Sequence, residues 1–292
     1  MILVLGGHGQ LGSELVVKAG EAGVPLVAAG HAEVDVADPK TIARAVAKYR
    51  PTLIVNAAAY NNVDKAESQV AQAERTNALG ASVAAASAKR AGLPIIHIST
   101  DYVFDGEKTG AYVETDPVGP LSAYGRTKEK GEEGVRNSHP QHLILRTSWL
   151  YGVHGSNFLK TVVKLAAERD TLGFVAAQRG TPTSTAELAK AILTAADTIA
   201  KGTAPWGTYH VAGQGATSRH GMATAIVAAQ ERFTHRAPPI EVIAVSPDAA
   251  RRPANSALDS SKFAATFGYA PGDWREAIEH AVNLLFAKQG RM

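Results

Sequence analysis

The 292-residue chain has no cysteine, which excludes disulfides and thiolate metal sites and suits a reducing compartment. It also lacks any stretch approaching the roughly 20 apolar residues of a membrane span. The alanine-rich run from Ala78 comes nearest, and Lys89 and Arg90 break it. No charged segment precedes "MILVLGG", so nothing reads as a cleavable leader. Net charge is only +3 and scattered, too little for a nucleic-acid footprint, although a mild positive bias suits an anionic small molecule. The ten histidines show no H-E-x-x-H or comparable ligand spacing, so no metal is expected. Internal repeats and low-complexity tracts are absent too. These absences leave a cytoplasmic protein with neither nucleic acid nor membrane as partner.

What is present is an alternation. Near-continuous apolar runs at Ile2–Leu5, Leu26–Ala29, Leu53–Asn56, Ile95–Ser99 and Leu143–Thr147 read as buried strands. Helical patterns fall between them at about 10–22, 40–49, 65–91 and 122–137. In "ADPKTIARAV", Asp38 is placed to cap a helix and Pro39 to occupy its first turn. Strands alternating with helices predict an α/β fold, a Rossmann-like doubly wound parallel sheet. Beyond Trp149 the rhythm loosens, with helices predicted near 157–169, 185–200, 219–232 and 273–287 and an ordered loop over 246–259. Residues 1–149 are therefore expected to form a dinucleotide-binding domain. Residues 150–292 would make mainly a smaller C-terminal substrate-binding lobe, some segments of which return to the first domain.

"LGGHGQLGSEL" follows the first strand and opens a helix. Glycines there permit a tight turn and let backbone amides approach a pyrophosphate where the helix dipole favours an anion. Alone the G-x-G-x-x-G pattern is weak; between a strand and a helix it becomes strong. Gly6, Gly9, Gln10, Leu11 and Gly12 are the expected cofactor contacts. An acid ending the second strand would hold the ribose of NAD, but Gly30 and His31 stand there. Asp35, with Val36 beside it, is expected at the adenine edge instead. Without that acid, NADPH is preferred and NADH tolerated, although no arginine sits at the strand end to hold a 2′-phosphate and His31 is a thin substitute.

Two further segments carry chemistry. "STDYVFDG" places Thr100 at the end of a central strand, and "YGRTK" sets Tyr124 four residues ahead of Lys128 on one helix face. An ammonium beside a phenol favours the phenolate and lowers the tyrosine towards working pH. A threonine hydroxyl reaching the same reacting oxygen completes a proton-transfer device beside a hydride carrier. By itself Y-x-x-x-K is a common surface pair on helices; the glycine loop and the threonine-ended strand change its weight.

With these segments, "NAAAYNNVDKAES" after the third strand, "LRTSWLYG", "GTPTS" and "RRPANSALD", the chain resembles the dTDP-4-dehydrorhamnose reductase family of extended short-chain dehydrogenase/reductases. The resemblance runs from Ile2 to about Asp259 and more weakly beyond. It implies hydride delivery to carbon 4 of a nucleotide ketosugar, with Tyr124 as proton donor, Lys128 tuning Tyr124 and binding the nicotinamide ribose, and Thr100 polarising the ketone. Asn56, Ala57, Ala58 and Ala59 would line the cofactor channel. Trp149 would pack on the sugar, and Arg252, with Asn157 and Asn255 as lesser candidates, would meet the substrate diphosphate. Asp101 would lie against the substrate or only order its loop. Glu14 and Glu187 match acids that bind magnesium at a dimer contact in some members, but a third matching acid is not evident, so no required metal is expected and a homodimer is allowed.

Two rivals remain open. Related dehydratases end this strand Thr-Asp-Glu, and Tyr102 in place of the glutamate leaves a dehydratase chemically underequipped. An epimerase or another nucleotide-sugar 4-ketoreductase stays open, and an epimerase would keep its NAD through a full cycle. A non-catalytic NADP-binding regulatory subunit, similar to the β subunit of methionine adenosyltransferase, would have no need of the tuned phenol.

Overall fold

A computed structural model describes residues 1–289. Its centre is a six-stranded sheet built from β1 (Ile2–Leu5), β2 (Leu26–Ala29), β3 (Leu53–Asn56), β4 (Ile95–Thr100), β5 (His142–Thr147) and a later edge strand, Gly207–His210. Every pairing is parallel. The spatial order is β2-β1-β3-β4-β5 with the edge strand beyond β5. Strand order reverses at β1, so a crevice opens between β1 and β3 at their carboxyl ends, where doubly wound sheets bind ligands.

The apolar runs explain the strands: β1 and β3 are buried at every position, as a sheet covered on both faces requires. One face packs Leu11 and Leu15 from the helix Gln10–Glu21 together with Leu188 and Ile192 from the helix Thr185–Ala200. The other packs Ile42 from Pro39–Tyr49, the alanines of Gly80–Arg90, and Val135 of Ala123–Ser138. Asp38 caps its helix by accepting from the Lys40 amide, with Pro39 in the first turn, as the sequence predicts. The stretch 65–91, read as one helix, is interrupted. Gln69 leaves the helical region, and Arg75–Leu79 forms a π turn before Gly80–Arg90 continues.

A second apolar cluster joins Trp149, Tyr151, Leu159, Met222, Ile226 and Trp274. They come from the helices Phe158–Glu168, Arg219–Thr234 and Trp274–Gln289 and from the segment after β5. Three two-stranded ladders trim this cluster. The chain crosses back after residue 150, because the helix Thr185–Ala200 and the strand Gly207–His210 both build the main sheet. Among the described residues no helix is long and apolar enough to cross a membrane.

Candidate active site

The glycine loop is shaped by close approaches. Gly6 has φ +76°, and a Cβ there would lie 2.7 Å from the backbone of Ala58. A side chain at Gly12 would collide with the Gly7 carbonyl, so this glycine lets the helix start against the loop. Gly9 differs. Only the Gly6 carbonyl comes within reach of its absent Cβ, at 3.3 Å. Gly9 caps the helix Gln10–Glu21 without a side-chain hydrogen bond, and no acid stands in the first turn. The helix N-terminus is thus open to an anion, the arrangement a dinucleotide pyrophosphate needs.

Across the crevice Ala57 and Ala59 line the cleft with Gly9, Gln10 and Leu11, while Ala58 turns against Gly6. Asn56 holds that turn, accepting from the Ala58 amide at 3.2 Å while its own amide donates to buried His97. Asp35 accepts from the Ala37 amide and pairs with Arg75. Hydrogen bonds from Arg75 hold its carboxyl below the usual range, against a smaller opposing effect of burial. An arginine therefore stands beside Asp35 at the expected adenine edge, delivered by the π turn rather than by the end of β2. Val36, expected on the cofactor, is buried in the core against Gly80.

The same cleft, about 290 Å³, is lined by Thr100, Asp101, Tyr124, Lys128 and Trp149. Ser122 caps the helix Ala123–Ser138 by accepting from the Gly125 amide, which sets Tyr124 and Lys128 on its inner face. Lys128 is buried, and its ammonium donates to the Ile98 carbonyl at 2.6 Å. Burial lowers it to about 8, although Glu132 one turn on pulls the other way. Glu132 is itself buried and receives two hydrogen bonds from Arg146 of β5, at 2.8 and 2.7 Å. That ion pair fastens the helix to the sheet.

Tyr124 corrects the sequence expectation. Its phenol is pushed up, because burial outweighs the lowering effect of the Thr100 hydroxyl. Lys128 is not what governs it. The upward shift favours the protonated form of this half-buried phenol, the charge state that proton donation needs. Thr100 Oγ1 donates to Asp101 Oδ1 and Ser148 Oγ to Asp101 Oδ2, both at 2.9 Å. Burial still raises Asp101 to about 6. Gln10 Oε1, Thr147 Oγ1 and Trp149 Nε1 are buried, line this cleft and make no hydrogen bond among the described residues. Buried polar atoms of that kind are partners for a ligand.

Trp149 has left-handed backbone, φ 47°, a conformation costly for a bulky residue and kept only where the surroundings hold it. Gly180 leaves space for its ring, and the Arg219 guanidinium lies 3.8 Å over it. Sequence reasoning missed Arg219, since a lone arginine at a helix start carries no local signature. Arg252 donates to both oxygens of Asp64 at 2.9 and 2.8 Å and lines a second cavity of about 690 Å³. Asn61 lines that cavity and the cleft alike, so the two adjoin. Asn157 is not brought to the cleft: it caps the helix Phe158–Glu168 and donates to the Gly152 and His154 carbonyls. Asn255 likewise staples two loop carbonyls, those of Lys108 and Gly110. Glu14 accepts from Thr185, and Glu187 from Lys190, Tyr269 and the Gly272 amide.

The chain matches the family described as the RmlD substrate binding domain over residues 1–286. A dTDP-4-dehydrorhamnose reductase from Burkholderia thailandensis is 41% identical over 300 aligned positions, covering 98% of this chain and 99% of the relative. The solved dTDP-4-dehydrorhamnose reductase of Clostridium acetobutylicum superposes with a TM-score of 0.89 at 35% identity, over 97% of this chain and 99% of that one. That of Bacillus anthracis, solved in complex with NADP, gives 0.88 at 30% identity, over 96% and 97%.

Proposed function

The chain belongs to the RmlD substrate-binding family, that of the dTDP-4-dehydrorhamnose reductases, and on that premise we propose that it reduces the 4-keto group of dTDP-4-dehydro-L-rhamnose to dTDP-L-rhamnose with NADPH, the last step of dTDP-rhamnose synthesis. The observation that carries the reading is that one cleft is walled by the glycine loop on one side and by Thr100, Tyr124 and Lys128 on the other. A dinucleotide site and a proton donor then face the same small volume.

The residues divide the work. Gly6 and Gly12 let the loop close, and the open first turn at Gly9 receives the pyrophosphate. The nicotinamide, when bound, supplies the hydride for the ketone carbon. Tyr124 donates its phenolic proton to the carbonyl oxygen, so that a C–H and an O–H bond form as the C=O double bond becomes single. Thr100 turns its single hydroxyl proton, which Asp101 Oδ1 accepts in the free protein, to the same oxygen when the ketone binds. Lys128, fixed by the Ile98 carbonyl, presents its remaining protons to the nicotinamide ribose and stabilises the phenolate that forms. Trp149 walls the sugar side. NADPH is preferred over NADH because Arg75 neutralises the Asp35 carboxylate, so that no free acid at the adenosine end repels a 2′-phosphate. The reaction is assigned to the cytoplasm.

Loss of absorbance at the nicotinamide band tests this directly, with the purified chain, dTDP-4-dehydro-L-rhamnose and NADPH or NADH in turn. Turnover with this ketosugar and little with other nucleotide ketosugars is expected. A chain that instead retains NAD and shows no net oxidation of NADPH would be an epimerase.

A further inference from the structure

Next to the catalytic cleft lies the cavity of about 690 Å³ that Arg219 and Arg252 both line. The two arginines are not equivalent. Arg252 has its own carboxylate in Asp64 and also donates to the Ala250 carbonyl at 3.1 Å. Arg219 makes no ion pair among the described residues, and it stands at the first position of the helix Arg219–Thr234, with no acid in that turn. A cation at the positive end of a helix dipole is unfavourable for folding. A residue that contradicts its local electrostatics is expected where a ligand makes up the difference.

The surroundings state which ligand. The Arg219 guanidinium lies 3.8 Å over the Trp149 ring and 5.0 Å over that of Phe158. Stacking on aromatic faces fixes the plane of a guanidinium while its edge N–H groups stay free for a bidentate oxyanion. The ring of Tyr102 meets that of Tyr124 edge-on at 6.0 Å, and the charges of both Arg219 and Arg252 act on the Tyr102 phenol. The Trp149 ring beneath Arg219 lines the cleft together with Tyr124, so one aromatic ring separates the Arg219 guanidinium from the space that holds the proposed proton donor. In a nucleotide sugar the reacting carbon 4 is separated from the phosphate on carbon 1 by the width of the pyranose ring.

We infer that Arg219, braced between Trp149 and Phe158, is the residue that grips the sugar-side phosphate of the substrate, and that Arg252 chiefly ties its loop to Asp64. This rests on the nucleotide-sugar reading of the cleft. It assigns specificity to a residue outside the Thr100–Tyr124–Lys128 set: the pocket accepts a diphosphate-linked sugar and rejects the free ketosugar.

The test compares full-length wild type, Arg219→Met and Arg219→Lys. The readouts are KM for the ketosugar nucleotide and calorimetric Kd for dTDP, for thymidine and for NADPH. Arg219→Met is expected to raise KM and weaken dTDP by roughly 10- to 100-fold, the loss of a charge-assisted bond. Thymidine and NADPH should bind as before, and Arg219→Lys should recover part of the loss. Unchanged dTDP affinity, or equal weakening of dTDP and thymidine, overturns the assignment. Should Arg219→Met fail to fold, Arg219→Gln carries the same comparison. A wild type that binds dTDP but reduces no ketosugar sinks the reductase reading, and the dTDP comparison still decides Arg219. A wild type that binds no dTDP sinks the phosphate assignment with it.

Discussion

Tyr124 and Lys128 share a helix face, yet burial moves them in opposite directions, the phenol up and the ammonium down to about 8. Both shifts favour the neutral form of a group taken out of water. Replacing Tyr124 by Phe removes one hydroxyl used only as the transition state forms. We expect kcat to fall by roughly 10³-fold or more with NADPH affinity within about twofold of wild type, measured by steady-state kinetics and fluorescence titration. For Lys128 the sign is set by its lowered pKa: the ammonium is present below about 8 and lost above it. NADPH binding should accordingly be strongest below that value and weaken as pH rises through it. Lys128→Met should bind NADPH more weakly throughout and show no such step in a titration from pH 6 to 10. A step of the same size in the variant would remove the ribose role.

At the level of elements, the strands were legible because β-branched and leucine-rich runs have no other place in a doubly wound sheet. The strand Gly207–His210 was not, since "GTYH" is short and half polar and becomes a strand only by docking beside β5. Propensity also joined 65–91 into one helix, where the structure inserts a π turn that carries Arg75 to Asp35. The glycine loop, Thr100, Tyr124 and Lys128 could be read because their spacing is local. Trp149 was placed by resemblance, whereas Arg219 is revealed only by the stacking of remote segments. Asn157 illustrates the converse: a polar residue before an apolar run serves first as a helix cap.

The loop and the helix behind Tyr124 each carry a test. Gly12→Ala must displace the Gly7 backbone, so it should lower NADPH affinity at least tenfold and cost about 1–3 kcal/mol of stability. Gly9→Ala, meeting only the Gly6 carbonyl at 3.3 Å, should cost less stability; denaturant melts of both variants check this. Burial would push Glu132 up, but Arg146, Ser99 and Arg136 together outweigh it and the carboxyl lies below its ordinary range. Arg146→Met leaves that buried charge with only the partly exposed Arg136, at 3.1 Å, and should destabilise by about 3 kcal/mol, while adding Glu132→Gln should restore part of the loss. Additive costs in urea unfolding would mean the pair is not coupled.

Across the whole molecule, both crossings after residue 150 return to the sheet, and the second apolar cluster reaches the cleft through Trp149. The arrangement predicts a single cooperative transition. Trp206 packs against the sheet core and Trp274 lies in the second cluster, so tryptophan fluorescence reports both regions. Its denaturant midpoint should coincide with that from far-ultraviolet circular dichroism. Separate midpoints would mean the two clusters melt apart.

The order of assembly during translation follows from one strand. β5 ends at Thr147, but the neighbour that covers its outer edge begins only at Gly207. A nascent chain emerging from the ribosome exposes an uncovered row of amides and carbonyls along β5 until that later segment arrives, with the apolar residues Leu143, Ile144 and Leu145 along the same strand. Chaperone dependence of newly made protein, and inclusion-body formation on rapid overexpression, should therefore respond to substitutions in Gly207–His210 well before the mature protein's stability does.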